Sequence, residues 1–466
     1  MSRNIALLLV FVLTVSSIVS VLPVKAEART IVVPVDFGTI QAAINAANEG
    51  DTIFVKKGTY QEKQLIISKT ISLTGEDLNH TTINLDPPLV EKRILTYIHW
   101  DWDVAIKINA EVAISNLTIA ALGNIISVNG TKIKITGNNL RTTNSYIGII
   151  GDGDEIQVIG NLIASSGLQI QGSNQTIAQN TIPQGSIYCS GRYNKIIGNN
   201  FSNSSDNQID VVDSFNLIYG NTITQSQGFG VKIRAEAASN IIAKNSIDGG
   251  AGVSVERGND NLIVANKISN CYVGIEVMWG SNNTFYANYI ENTIEAARLG
   301  YDESKIGRSK KGPAAYNNSV YHNNFINNTQ QAIDWNWLST NYWDYGGEGN
   351  YWSDYGGADW NFDGIGDSPY FLSEAISHYA ESHQGKDRYP LMAPFNISYV
   401  SVELPDWAAD VSEIIKDLPH FDLPEHPTPF PTAWIIIVTG LVGATVIVLV
   451  LAYVVKVKKS RLSKLE

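Results

Sequence analysis

Apolar residues recur along most of this chain in a short frame rather than a helical one. The frame reads apolar, any two residues, Asn, any one, then Ile, Leu or Phe. Ile135 with Asn138 and Leu140 shows it, as do Val158 with Asn161 and Ile163, Ile177 with Asn180 and Ile182, and Val320 with Asn323 and Phe325. The full set of frame asparagines is Asn138, Asn161, Asn180, Asn199, Asn221, Asn245, Asn266, Asn288 and Asn323, spaced 19 to 24 residues apart until a last step of 35. A steady period of roughly 20 to 50 residues marks stacked structural units. Short alternating segments inside each unit, such as Gly230 to Arg234, read as strands. About 22 residues hold three short strands and their turns, whereas a propeller blade needs roughly 40. The pattern predicts an all-β chain, a right-handed parallel β-helix with three sheets and about ten coils. The frame asparagines are expected to occupy left-handed turns and to hydrogen-bond from coil to coil about every 4.8 Å.

The ends read differently. Ile40, Ala43, Ile44 and Ala47 fall on one helical face between Thr39 and Gly50, which predicts a short helix capping the first coil. Arg3 followed by an uncharged run from Ile5 to Leu22, with small residues at Ala26 and Ala28, reads as a secretory signal, an uncleaved anchor being the alternative. Ala433 to Val455 is uncharged and long enough for a hydrocarbon core of about 30 Å. Lys456, Lys458, Lys459, Arg461 and Lys464 follow it and mark a cytoplasmic side. The expected order is a signal (1–28), a cap with the first coils (29–85), the repeats (86–340), an aromatic and Asp-rich C-terminal cap (341–396), a Pro-rich stalk (397–432), one C-terminal transmembrane helix (433–455) and a basic tail (456–466). This predicts a single-pass cell-membrane protein with a large extracellular or periplasmic domain.

The 45 acidic against 33 basic residues give a net charge of −12, and no long basic stripe is present, so nucleic acid is not an expected partner. The sequons at Asn79, Asn116, Asn174 and Asn396 would accept glycans in a glycosylating host. Cys189 and Cys271 fall in coils too far apart to pair, since a disulfide needs α-carbons within about 7 Å.

Two stretches carry a family resemblance. Asp36 to Ile44, Gly50 to Val55 and Gly58 to Tyr60 resemble the opening of pectin-lyase-like β-helices. The Asn-frame repeats, the closing Gly349 to Tyr355, Asp363 to Asp367, Pro369-Tyr370 and Tyr389 to Met392 resemble the NosD-type periplasmic β-helix family. That resemblance implies a parallel β-helix. It also implies either a role in copper-site maturation, as for the named member, or carbohydrate binding or cleavage, as for related domains.

Aligning strands through the frame sends Ile209, Val231, Val253 and Ile275 inward. It sends Asp210, Lys232, Ser254 and Glu276 outward in one column, and Arg234, Glu256 and Met278 in another. Carboxylates and cations on one face suit a sugar-binding or sugar-cleaving groove, with Asp210, Lys232, Arg234, Glu256 and Glu276 as catalytic candidates. The simpler reading, which we prefer, is a solvated ion-pair ladder. The tract containing Trp343, Tyr345, Trp352 and Tyr355 offers flat rings for carbohydrate, or else rings that close the last coil. Asp359, Asn361 and Asp363, then Gly364, with Ile365 offering a carbonyl and Asp367 at position nine, match the first half of a calcium loop. Tyr370 stands where a bidentate Glu belongs, so affinity should be weak. The scattered histidines, including His378 and His383, argue against copper. The expected function is non-catalytic recognition of carbohydrate or a cell-envelope partner. A polysaccharide-active enzyme and a copper-protein accessory are the alternatives.

Overall fold

The computed structural model describes residues 27–86, 104–142, 148–234, 236–300, 315–335, 341–373, 384–416 and Leu418. It shows an all-β parallel β-solenoid of about 11 turns with few helices, against the about ten coils expected. Two compact units divide the chain, residues 1–165 and 166–466.

In the first unit a helix, Ile40–Ala46, begins where the Thr39 hydroxyl accepts the Ala42 N–H at 3.2 Å. It buries Ile40, Ala43 and Ile44 against the opening strands Thr30–Val33 and Thr52–Val55, as the predicted cap requires. Those strands continue through Ile71–Gly75 and Val112–Ser115 in one parallel sheet. Gly58–Glu62, Thr81–Leu85 and Thr118–Ala121 stack in a second sheet, and Leu65–Ile67, Val104–Ile108 and Asn124–Asn129 in a third.

The second unit repeats one coil plan. Lys195–Ile197 lies in the first sheet, Asn200–Ser202 in the second and Ile209–Val211 in the third. Leu217–Tyr219 then pairs in parallel with Lys195–Ile197. The third-sheet register runs Ile187, Ile209, Val231, Val253 and Ile275, all buried, so the predicted inside and outside positions hold. Successive coils thus place like side chains above like in a narrow aliphatic core.

The frame asparagines are buried but do not adopt the left-handed conformation expected of them. That conformation belongs to the preceding residue, including Gln179, Lys244, Ala265, Ala287 and His322. The turn is made one step earlier, which aims the asparagine inward. There the backbone N–H and Nδ2 of Asn199 both donate to Oδ1 of Asn221, at 2.9 and 3.0 Å. Asn221 does the same to Asn245, Asn245 to Asn266, Asn266 to Asn288, and Asn288 to Asn323. Five residues before these rungs runs a second ladder that the frame did not single out. Asn240 donates to Asn261, Asn261 to Asn283 and Asn283 to Asn318 in the same double fashion.

Each ladder ends on a buried carboxylate. Asn341 donates to both oxygens of Asp334 at 3.1 Å, and the Trp343 indole adds 3.3 Å. The Asn350 N–H and the Trp352 indole meet Oδ2 of Asp387 at 2.7 and 2.8 Å. Trp352 follows Phe325 in the interior column and is sandwiched between Phe325 at 4.4 Å and Tyr370 at 4.3 Å.

The expected stalk does not begin at residue 397. Ile397–Tyr399 and Asp406–Val411 form 3-10 turns, Ser412–Lys416 a short helix, and the segment packs back along the first sheet of its unit. Burial of Ile397, Ala408 and Val411 outweighs an extended path. Among the described residues no helix is long and apolar enough to cross a membrane. Residues 1–26 of the predicted signal, the predicted span, residues 419–432 and the basic tail lie outside the described residues. So do His378 and His383.

Candidate functional site

The outward side of the third sheet in the second unit carries the charge columns. Register places Tyr188, Asp210, Lys232, Ser254, Glu276 and Arg298 one above the other. Asp210 and Lys232 are therefore neighbours, as predicted, but two of the ion pairs run diagonally. Arg234 NH2 meets Asp210 Oδ2 at 2.6 Å, and Lys232 Nζ meets Glu256 Oε2 at 3.2 Å. Side-chain length explains this: the longer cations reach across to the other column on the adjacent rung. Glu276 takes Arg298 at 2.6 Å and the Ser254 hydroxyl at 3.1 Å. Arg298 also holds Glu295 at 2.9 Å.

One pair in this lattice is incomplete. Asp210 Oδ1 and Arg234 Nε are shielded from solvent and have no hydrogen-bond partner. Their side chains differ in exposure, 13% for Asp210 and 40% for Arg234. Burial pushes the Asp210 carboxyl above its ordinary range, against the pull of Arg234, of a hydrogen bond from the Asn207 side chain and of Lys232. An unpaired buried acceptor beside an unpaired buried donor costs about 1–3 kcal/mol for each group. A hydroxyl, which both donates and accepts, can satisfy the two together.

Aromatic rings lie along the same unit, Tyr188 one rung from Asp210. Tyr188 and Tyr272 are exposed, Phe229 lies 6.4 Å from Tyr272, and the Lys232 ammonium sits 5.5 Å from the Phe229 ring. None of these rings was singled out from sequence. Tyr188 was detectable, because the Ser186 to Ser190 segment superposes on the Gln208 to Val212 strand that carries Asp210.

The aromatic tract divides. Trp343 and Trp352 are 2% and 1% exposed and their faces are spent inside the cap, which corrects the reading of them as sugar platforms. Tyr345 is exposed, with its ring 5.1 Å from Tyr321. Tyr355 is half-buried and donates its hydroxyl to the Ser368 carbonyl at 2.6 Å. Trp360 and Phe362, outside the predicted set, are the most exposed rings among the described residues of this cap.

In the loop 359–367, Asp359 accepts the Gly364 N–H at 2.9 Å and Asp363 accepts the Ile365 N–H at 2.9 Å. Asp367 accepts the Trp360 N–H at 2.5 Å, and Asn361 Nδ2 donates to Asp363 at 2.9 Å. Among the described residues no three His, Cys, Asp or Glu side chains gather as a metal-holding group. Cys189 and Cys271 are free and buried, and burial pushes both thiols up to about 12. His80 faces Asp77 and His322 faces Glu348. Among the described residues this donor set does not fit copper, which favours clustered thiolate, thioether or imidazole groups.

With a parallel solenoid, Asn ladders and this charged face in place, comparison with known proteins places the repeats. Residues 108–305 match the NosD family. Its description is periplasmic copper-binding protein (NosD), and the match takes in somewhat less than half of the chain. No curated protein shows significant similarity to the chain. Several solved structures give partial matches of low identity. The mannuronan C-5 epimerase A-module of Azotobacter vinelandii is 16% identical, with a TM-score of 0.42, over 63% of this chain and 83% of its own. A PL6 family polysaccharide lyase from Pseudopedobacter saltans is 13% identical, with a TM-score of 0.44, over 67% and 88%. The catalytic domain of a GH87 alpha-1,3-glucanase is 13% identical, with a TM-score of 0.49, over 71% of each chain. The NosD-type repeats thus contain the charged face from Asp210 to Arg298, while the C-terminal cap lies beyond them.

Proposed function

We propose that the third face of the second unit is a non-catalytic binding surface for carbohydrate, on a domain held outside the cell by the predicted span 433–455. The observation that carries this reading is the incomplete Asp210–Arg234 pair, with one acceptor and one donor left over one rung from the exposed Tyr188 ring. A sugar hydroxyl supplies both missing partners. Tyr188, one rung from Asp210, supplies an apolar face for a pyranose ring. The half-exposed Arg234 is the side chain that swings to admit the hydroxyl. Charges on this face nearly cancel, since Asp210, Glu256, Glu276 and Glu295 stand against Lys232, Arg234 and Arg298. That balance favours a neutral glycan over a polyanion.

A glycan array followed by calorimetry on the hits tests the proposal. Binding that is lost in Asp210→Ala and in Tyr188→Ala supports it. Binding unchanged in both variants overturns it. Release of reducing or unsaturated ends from a bound glycan would replace recognition with catalysis at the same face.

A further inference from the structure

The segment from Phe395 to Leu418 is a strap. Asn324 grips its start from both sides, with Nδ2 donating to the Phe395 carbonyl at 2.8 Å and Oδ1 accepting the Phe395 N–H at 2.7 Å. The Phe395 ring stacks on His322 at 4.3 Å. Farther along, Trp407 meets Tyr193 edge-on at 5.6 Å, and Asp410 takes the Lys195 ammonium on both oxygens at 2.9 and 3.1 Å. Lys195 is only 5% exposed, so this cation depends on the strap for its partner. Leu418 lies over Gly198 and Gly220. Outward positions of the first sheet that would otherwise face solvent, Ile197, Leu217, Tyr219 and Val264, are buried.

The path reverses the direction of coil growth. Asn324 lies five coil steps beyond Asn200 in the second sheet, about 24 Å at ~4.8 Å per step. The described segment therefore ends beside the coils of Lys195 and Leu217, not at the aromatic cap. From there 14 residues, 419–432, precede the predicted span. Fully extended they reach at most about 50 Å.

We infer that the strap makes the first sheet of this unit, at the coils of Lys195 and Leu217, the side held toward the lipid bilayer, with the C-terminal cap held farther out. The inference rests on the membrane-held reading above and adds an orientation to it.

The test uses the full chain in phosphatidylcholine vesicles carrying an acceptor-labelled lipid. Arg192→Cys and Phe371→Cys, both at exposed positions, receive a donor dye, the two native cysteines being buried. Energy transfer should be stronger from position 192 than from 371 by at least twofold. Inserting about twenty Gly/Ser residues after Leu418, which leaves every strap contact intact, should erase the difference. Equal transfer from both positions in the uninserted chain, or stronger transfer from 371, overturns the orientation. Flotation with the vesicles is scored separately, so a chain that fails to float removes the membrane reading itself.

Discussion

The N–H of Asn350 and the indole of Trp352 converge on one oxygen of Asp387, whose other oxygen accepts the Tyr389 N–H at 3.0 Å. Burial comes first among the influences on this carboxyl and pushes its pKa to about 6, although the three donors pull the other way. The folded protein thus holds the proton more tightly than the unfolded chain. Stability from this group is greatest at low pH and falls as pH rises from about 4 to about 6. Wild type should therefore gain about 2 kcal/mol relative to Asp387→Asn between pH 7 and pH 4.5. Denaturant titrations of both proteins at the two pH values measure it. A difference independent of pH would mean that Asp387 stays charged throughout.

The left-handed turns predict an unusual response to glycine. Lys244 and Ala265 hold φ of 52° and 53°, where a side chain is unfavourable. Lys244→Gly and Ala265→Gly should each stabilise the protein by about 0.5–1 kcal/mol, opposite to glycine's usual effect in a strand. Thermal melts decide the sign.

A ladder rung should behave as a buried, fully used amide. Asn245 accepts two bonds from Asn221 and donates to Asn266, Ile218 and Ala243. Asn245→Leu leaves donors above it and carbonyls beside it unpaired, at a cost of about 3 kcal/mol or more. Loss of less than about 1 kcal/mol would show that the neighbouring coils close over the gap.

Inside and outside positions on the third sheet should rank clearly. Val231→Asp places a carboxylate in a fully buried column and should abolish or severely weaken folding. Glu256→Ala removes a partly exposed partner of Lys232 and should change stability by under about 1 kcal/mol.

Calcium remains a proposal for the loop 359–367. The ion is expected to raise the melting temperature of wild type, with affinity in the millimolar range, and to leave Asp363→Ala unmoved. Equal shifts in both proteins would assign the carboxylates to turn hydrogen bonds alone.

The solenoid was legible because its signal is repetitive. Ile209, Val231 and Val253 align by period, and period is what stacking imposes. Three features were not. The left-handed residue before each frame asparagine is Gln, Lys, Ala or His as readily as Gly, so residue type hides it. Burial of Trp343 and Trp352 depends on Asp334 and Asp387, which are separated from them in sequence but adjacent in the cap. The strap is irregular, and its docking is set by Asn324 and Lys195, which look like ordinary surface residues until the fold brings them to Phe395 and Asp410. On the charged face, period gave the columns. The diagonal pairing that strands Asp210 Oδ1 depends on side-chain reach, which no repeat encodes.

The amide-to-amide bonds have a sense of travel: each rung gives its N–H and one Nδ2 hydrogen to the next asparagine toward the cap and accepts the same pair from the one before, while Nδ2 also donates back to an earlier carbonyl such as that of Ile218. A middle coil therefore presents the same sockets on entry and on exit. Excising residues 222–245, one whole turn from just after Asn221 through Asn245, should rejoin Asn221 directly to Asn266 with both ladders still unbroken. The solenoid can lengthen or shorten by whole turns during descent, while Asp334 and Asp387 must stay with whatever turn comes last.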